Sequence, residues 1–215
     1  MINELTSQRG VPEQSAVELF GEWAILGRDE GMEKGHSPSV EEMISNVLDR
    51  TTGRFSAIDV GCGNGWAVRK LAMLPDCYRS SGVDGSEQMI DKARSIDPDG
   101  EYFVGKIPEW RPEEKADLIL SMEFIYYLDD PLAFFQTLHD DWISDGGSVA
   151  LGMDHYLENE DSVSWPESLG IPMATLSIGE WRDGLECAGF TDVETLQVCP
   201  KEGWSGTLVL IGTKA

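Results

Sequence analysis

Phe55-Ser56-Ala57-Ile58-Asp59-Val60-Gly61-Cys62-Gly63-Asn64-Gly65-Trp66 joins a short apolar run to a glycine-rich loop and then to a helical pattern. The run Phe55 to Val60 reads as a buried strand. Gly65 to Leu74 reads as a helix with Val68, Leu71 and Ala72 on one face and Pro75 as its stop. A loop in this position lies at the carboxyl end of a strand, where open α/β sheets bind ligands. Its glycines permit tight turning and close approach of backbone to ligand. A dinucleotide fingerprint wants a third glycine three residues after the second. Trp66 stands there instead, with Gly65 one residue early, and a large indole does not suit the close strand–helix packing that glycine allows. Asp59, two residues before Gly61, would repel a phosphate but suits an ammonium group or a ribose hydroxyl. Asp84 follows Gly61 by 23 residues, at the end of a second short strand, where an acid can accept from two ribose hydroxyls. The loop therefore looks shaped for a nucleoside carrying an amino acid rather than for a pyrophosphate.

Outward from the loop, strand and helix signals alternate. Ser81 to Asp84 is a strand, and Ser86 caps a helix to about Ser95 with Met89, Ala93 and Ile96 in register. Tyr102 to Val104 and Asp117 to Ser121 are the third and fourth strands. Asp130-Pro131 is a cap and first-turn proline, opening a helix with Phe135, Leu138 and Trp142 on one face. Gly147 to Met153 is a fifth strand. Ser177-Ile178-Gly179-Glu180 is a capping box whose helix turns Trp181, Leu185 and Ala188 inward and ends at Gly189. Val193 to Val198 and Thr207 to Gly212 finish as two strands, the last antiparallel. The alternation predicts an α/β fold, a doubly wound, mostly parallel sheet.

Two segments stand apart. In residues 1–50, Ala16 to Leu26 reads as a helix with a wide apolar face. A polar link follows from Gly27 to Ser37, and Ser39-Val40-Glu41-Glu42 reads as a capping box opening a helix to about Leu48. Residues 154–177, with Trp165-Pro166 and Ile171-Pro172, are too irregular for a plain helix.

The chain has 215 residues, 41% of them apolar, enough for a full core without disulfides or metals. Lys and Arg number 16 against 39 Asp and Glu, a net charge of −23, which argues against duplex DNA or an anionic membrane as the main partner. The acids are spread along the whole chain, as on a solvated surface kept soluble in a salty cytoplasm. No run is long and apolar enough for a membrane span, and Met1-Ile2-Asn3-Glu4 opens no signal peptide, so a cytoplasmic location is expected. Cys62, Cys77, Cys187 and Cys199 form no C-x-x-C and read as free thiols. His36, His139 and His155 are far apart in sequence, and no metal is expected.

These residues resemble the class I S-adenosylmethionine-dependent methyltransferases, closest to the small-molecule branch that includes the ubiquinone/menaquinone-type enzymes. The resemblance spans about residues 55–153 and is weaker beyond. Ile58 to Gly65 matches the family's first motif, Val83-Asp84-Gly85-Ser86 with Met89 matches its acidic ribose loop, and Asp117 to Ser121 through Leu128 to Pro131 matches its fourth-strand motif. The resemblance implies a Rossmann-like seven-stranded sheet of order 3-2-1-4-5-7-6 with strand 7 antiparallel. It implies S-adenosylmethionine held at Asp59, Gly61, Cys62, Gly63, Asp84, Gly85, Ser86, Met89, Lys106, Ile107, Ser121 and Met122. It also implies that residues 1–50 form a lid over a core of residues 51–215, with residues 154–177 as a cap insertion. Two places depart from the family pattern. Gly105-Lys106-Ile107 replaces Gly-Asp-Ala, whose acid commonly receives the adenine amino group, and a lysine cannot accept that bond. Tyr126-Tyr127 replaces Glu-His after the fourth strand.

Methyl transfer from a sulfonium is an in-line displacement in which the protein mainly positions and desolvates the reactants. A base is needed only when the acceptor must lose a proton. The expected acceptor is a small molecule, because no basic stripe or added recognition domain is present. Candidate acceptor-side residues are Glu123, Tyr126 and Tyr127 after the fourth strand, His155 and Tyr156 after the fifth, and Met32, Glu33 and His36 in the lid. His155, Tyr126 and Glu123 are the candidates for catalysis. A non-catalytic cofactor-binding module and a nicotinamide dehydrogenase are the alternatives, and Trp66 argues against the second.

Overall fold

The computed structural model describes residues 15–215. Seven strands form one sheet: β1 (Phe55–Val60), β2 (Cys77–Asp84), β3 (Glu101–Val104), β4 (Ala116–Met122), β5 (Ile143–Met153), β6 (Thr191–Val198) and β7 (Thr207–Thr213). Their order is β3-β2-β1-β4-β5-β7-β6. Neighbours from β3 to β5 run parallel, while β7 runs antiparallel to both β5 and β6. The sheet order that the resemblance implies is thus the one observed.

The central strands are apolar on both faces because both are covered. Alternate residues divide between two clusters. Ile58, Val60, Ile119, Val149, Leu151, Leu208 and Leu210 pack with Phe134, Phe135 and Leu138, and with Trp181 and Leu185. These come from α5 (Pro131–Thr137), the π-helical turn Leu138–Trp142 that continues it, and α7 (Ile178–Cys187). Ala57, Leu118, Leu120, Ala150, Val209 and Ile211 pack instead with Val40, Met43, Ile44 and Val47 of α2 (Asp29–Leu48) and Ala67 and Leu71 of α3 (Trp66–Ala72). The π turn preserves the predicted stripe, since Phe135, Leu138 and Trp142 are all fully buried.

The first helix of the amino-terminal region forms as read, and the two readings after it, the polar link and the Ser39 cap, are corrected. α1 (Ala16–Leu26) forms, capped by Ser15 in a capping box with Glu18, but its apolar face does not enter the core. Ile25 and Leu26 are exposed, and Gly21 is its one buried residue. There the helix comes so close to α4 (Glu87–Ile96) that a Cβ would lie 3.0 Å from Gln88 Oε1 and 3.2 Å from Ser86 Oγ. The polar stretch Gly27 to Ser37 is not a link. Gly27, at φ 69°, ends α1 in the left-handed region, and α2 runs unbroken from Asp29 through Pro38. Ser39 is therefore no cap: its hydroxyl is buried 2.8 Å from Thr207 Oγ1 on β7. Proline disfavours this helix by removing one bond, but tertiary contacts hold both ends. Asp29 Oδ2 accepts from Asn64 Nδ2 at 2.7 Å, and Val40, Met43 and Val47 lie against the sheet.

Residues 154–177 hold only a 3₁₀ turn, Glu160–Ser162, and the short α6 (Trp165–Leu169). Trp165 stacks between His155 (6.3 Å) and Trp204 (6.1 Å), which makes it a packing residue. Among the described residues, no helix is long and apolar enough to cross a membrane.

Candidate functional site

The carboxyl ends of β1, β2 and β4 open into one continuous cleft roofed by α1 and α2. Its inner part is lined by Asp59, Gly61, Gly63, Met89, Met122 and Glu123 below and by Met32 and His36 of α2 above. Its middle is lined by Val17 and Phe20 of α1 with Asp84, Gly85, Phe124 and Tyr127. Its outer end runs past Lys106, Ile107 and Leu128 to Asp130.

The floor follows from the local sequence. Gly61, Gly63 and Gly65 have φ of 75°, 51° and 77°, a left-handed backbone that other residues adopt only under strain. A Cβ on Gly61 would fall 2.4 Å from the Phe124 ring, whereas one on Gly63 would meet only Met89 Sδ, at 3.8 Å. Asp84 secures the loop. Its Oδ2 accepts from Gly63 N–H at 2.9 Å and its Oδ1 from Ser86 N–H at 2.8 Å. Asp59 is buried more deeply than the half-buried Asp84, yet no described residue donates a hydrogen bond to it. Burial, and then the charge of Asp84, push its carboxyl up to about 8. A carboxylate left this way marks a place where a donor or cation belongs.

Beyond β4 the chain turns sharply. Glu123 sits at φ 57°, a strained conformation for a non-glycine residue. Its Oε1 accepts from Asp154 N–H at 2.5 Å and its Oε2 from the Tyr126 hydroxyl at 2.7 Å. Asp154, at the end of β5, accepts from the Thr207 hydroxyl at 2.6 Å and faces His36 Nδ1 at 3.6 Å. Burial raises both carboxyls, and Asp154 raises Glu123 further. Burial lowers His36, and the charge of Asp154 opposes that. One donor atom from each of His36, Glu123 and Asp154 lies within 4.8 Å of the others. The trio is organised by its own hydrogen bonds rather than as an open coordination sphere, since both Glu123 oxygens are engaged.

Of the residues singled out in the sequence, the cleft gathers Asp59, Gly61, Cys62, Gly63, Asp84, Gly85, Met89, Lys106, Ile107, Met122, His36, Glu123 and Tyr127. Others lie elsewhere. Ser121 is fully buried and donates to Val60 O at 2.8 Å, tying β4 to β1. Ser86 caps α4 through Met89 N–H. His155 is fully buried, with Nδ1 on Ser162 O (3.0 Å) and Nε2 on Thr175 Oγ1 (2.8 Å), so neither nitrogen is free to take a substrate proton. Tyr156 donates to Gly206 O at 3.0 Å and accepts from Gln197 at 2.8 Å, well inside the protein. Tyr126 is buried behind Tyr127, 4.4 Å between rings, and reaches the cleft only through Glu123. Lys106, at the outer end of the cleft, turns its ammonium away towards Glu109 at 3.4 Å. Asp130 is a helix cap, accepting from Ala133 N–H at 3.0 Å. Asp29, Asn64, Phe20, Phe124 and Asp154 were not foreseen. For Asp154 a signal existed, because it directly follows the fifth strand. Asp29 sits in a stretch that reads as a loop.

The family model described as a methyltransferase domain matches residues 57–146. Trans-aconitate 2-methyltransferase of Rhizobium etli is 29% identical over 133 residues, covering 62% of this chain and 49% of the relative. That of Escherichia coli O1:K1 is 35% identical over 101 residues, covering 46% and 40%. The chain thus spans about half the length of the curated relatives it matches. Among solved structures, a chain in the complex between the Haloferax volcanii Trm112 methyltransferase activator and a putative methyltransferase is 26% identical. Its TM-score is 0.79, over 90% of this chain and 96% of that one. A Thermotoga maritima methyltransferase, described as a possible histamine N-methyltransferase, shares the fold at TM-score 0.71 and 18% identity, over 93% of this chain and 99% of that one. With the glycine loop and Asp84 at the ends of β1 and β2 in a sheet of this order, residues 57–146 match a methyltransferase domain, and the chain as a whole is similar to class I S-adenosylmethionine-dependent methyltransferases.

Proposed function

We propose that the chain is an enzyme that binds S-adenosylmethionine in this cleft and transfers its methyl group to a small molecule. The observation that carries the reading is Asp59: a buried carboxylate without a donor among the described residues, beside an open glycine and a second, half-buried acid. The residues fit the cofactor. Asp59 suits its ammonium group, Asp84 its ribose hydroxyls, and Val17, Gly85, Ile107 and Phe124 an apolar base. Lys106 offers no acceptor, so the adenine amino group is left to backbone carbonyls or water. When bound, the cofactor supplies an electrophilic methyl on a sulfonium. The chain's own contribution is to hold the two reactants in line and to exclude water.

α1 and the first turns of α2 act as the lid in this reading, with Phe20 edge-on to Tyr127 at 5.4 Å and Val17 over Gly85. A small acceptor is supported by the acidity of the chain, which disfavours nucleic acid. Isothermal titration of S-adenosylhomocysteine, with NADH as control, tests it. Micromolar or tighter binding of the first alone is expected, and binding of neither at a salt concentration where the chain is folded overturns it. Binding without turnover of any acceptor would favour a non-catalytic module.

A second reading concerns partners. The Haloferax volcanii neighbour stands in complex with an activator. In this chain β3 is a sheet edge with Phe103 and Val104 exposed, the kind of edge that a partner strand covers. Co-purification with a Trm112-type protein tests that reading.

A further inference from the structure

The trans-aconitate relatives act on an acceptor bearing three carboxylates, and the acceptor end of this cleft is built for the opposite charge. Around the inner cavity stand Asp29, Asp59, Glu123 and His36, with Asp154 directly behind His36 and Glu123. No lysine or arginine lines the inner or middle cleft among the described residues; Lys106 is at the outer end and points away. Asp29 is already paired with Lys92 at 2.7 Å and accepts a hydrogen bond from Asn64 at 2.7 Å. Asp59, donorless and buried, faces the cofactor's ammonium on the reading above. Glu123, half-buried, and Asp154, buried, remain as two adjoining carboxylates. Their only close cationic partner among the described residues is His36, 3.6 Å from Asp154, with the exposed Lys201 acting on Asp154 from further off. At most one of the two carboxylates is matched by a full positive charge. Phe20, Phe124 and Tyr127 add aromatic rings along the adjoining middle of the cleft, which Glu123 also lines.

From the Glu123–Asp154–His36 cluster on this aromatic-lined cleft we propose that the acceptor is a cationic amine. The inference rests on the methyltransferase reading. Two carboxylates in a low-dielectric pocket attract one ammonium group and repel a tricarboxylate, and aromatic faces add a cation–π contribution. An ammonium must lose a proton before it can be methylated. His36 takes it: the ring lines the cavity, Asp154 faces Nδ1, and the other nitrogen has no partner among the described residues. The N–H bond breaks with its electron pair left on nitrogen. That pair forms the N–CH3 bond, and the C–S pair stays on the departing neutral thioether. His36 then returns its proton to water.

The experiment is calorimetric titration of methylammonium, tyramine and trans-aconitate into the protein saturated with S-adenosylhomocysteine, repeated with Glu123→Gln and Asp154→Asn. At least one amine binds and trans-aconitate does not. Each substitution lowers amine affinity by about tenfold or more, the value of one lost charged hydrogen bond, while S-adenosylhomocysteine affinity is retained as evidence of folding. Tight binding of trans-aconitate, binding of neither amine, amine affinity unchanged in both folded variants, or amine binding abolished by EDTA overturns the proposal. Failure of S-adenosylhomocysteine itself to bind overturns the methyltransferase reading instead.

Discussion

Replacing Asp59 by Asn should stabilise the cofactor-free protein at neutral pH and weaken its grip on the cofactor. An unfolded aspartate titrates near ~4, whereas burial beside Asp84 holds this one to about 8. The folded state therefore keeps its proton longer than the unfolded state, and unfolding releases one. Stability contributed by this group is full below about pH 4, is lost as pH rises towards 8, and changes no further above that. At pH 7 the difference spans roughly three pKa units, an upper limit of about 4 kcal/mol; sharing of the proton with neighbouring Asp84 and entry of water lower the expectation to about 1–3 kcal/mol. Asn keeps the shape and cannot ionise, so its stability should be flatter with pH. Urea melts at pH 5 and pH 8, at one fixed high salt concentration, measure this directly. Asp59→Asn should gain on the parent at pH 8 and gain little at pH 5. The same variant loses the charged bond to an ammonium group, so S-adenosylhomocysteine should bind about 10–100-fold more weakly. A variant less stable than the parent at pH 8, with unchanged S-adenosylhomocysteine affinity, would refute both halves of the reasoning.

Gly61→Ala should lower stability by about 1–3 kcal/mol and abolish S-adenosylhomocysteine binding in the fraction that folds. The new methyl meets the Phe124 ring at 2.4 Å on a backbone at φ 75°, and denaturant melts with calorimetry would read both effects. His155→Leu should cost about 1–3 kcal/mol, because Thr175 and the Ser162 carbonyl lose their buried partner, yet leave S-adenosylhomocysteine affinity within twofold. A loss of affinity beyond tenfold in a folded His155→Leu protein would return this residue to the site.

The parts of the site that could be read in the sequence are those whose chemistry is local. The loop from Asp59 to Gly65 needs positive φ at three places, and only glycine supplies that cheaply. Asp84 is found at a fixed strand end because β2 pairs in parallel register beside β1, Val60 opposite Val83. The misreadings share a different cause. His155 and Tyr156 were placed in the cleft by their distance from β5, but alternation fixes the direction of a side chain only while the strand lasts, and β5 ends at Met153. After that the chain turns inward and buries both rings. Tyr126 and Tyr127 exchange prominence for a similar reason: they sit on a one-turn 3₁₀ segment, Ile125–Tyr127, where neighbouring residues point in different directions. α2 was hidden because glycines and Pro38 suppress a helical signal that the sheet surface then restores. The His36–Asp154 contact joins residues far apart in the chain and exists only because that helix is continuous.

The roof of the cleft sets how a ligand reaches it. Asp59 is buried and Asp84 half-buried with α1 and α2 in place, so moving α1 aside widens a cofactor's way to them. α1 is suited to that. It buries one residue, Gly21, and leaves Val17, Ile25 and Leu26 exposed, so lifting it gives up little apolar burial compared with opening any strand of the sheet. α2 is the opposite case, with Val40, Met43 and Val47 fully buried and Asp29 held by Lys92 and Asn64. Entry through the α1 side therefore leaves His36, Glu123 and Asp154 fixed while the cofactor site opens. In the proposed lid, the part that moves is the part over Gly85, and the part that carries acceptor chemistry stays attached to the core.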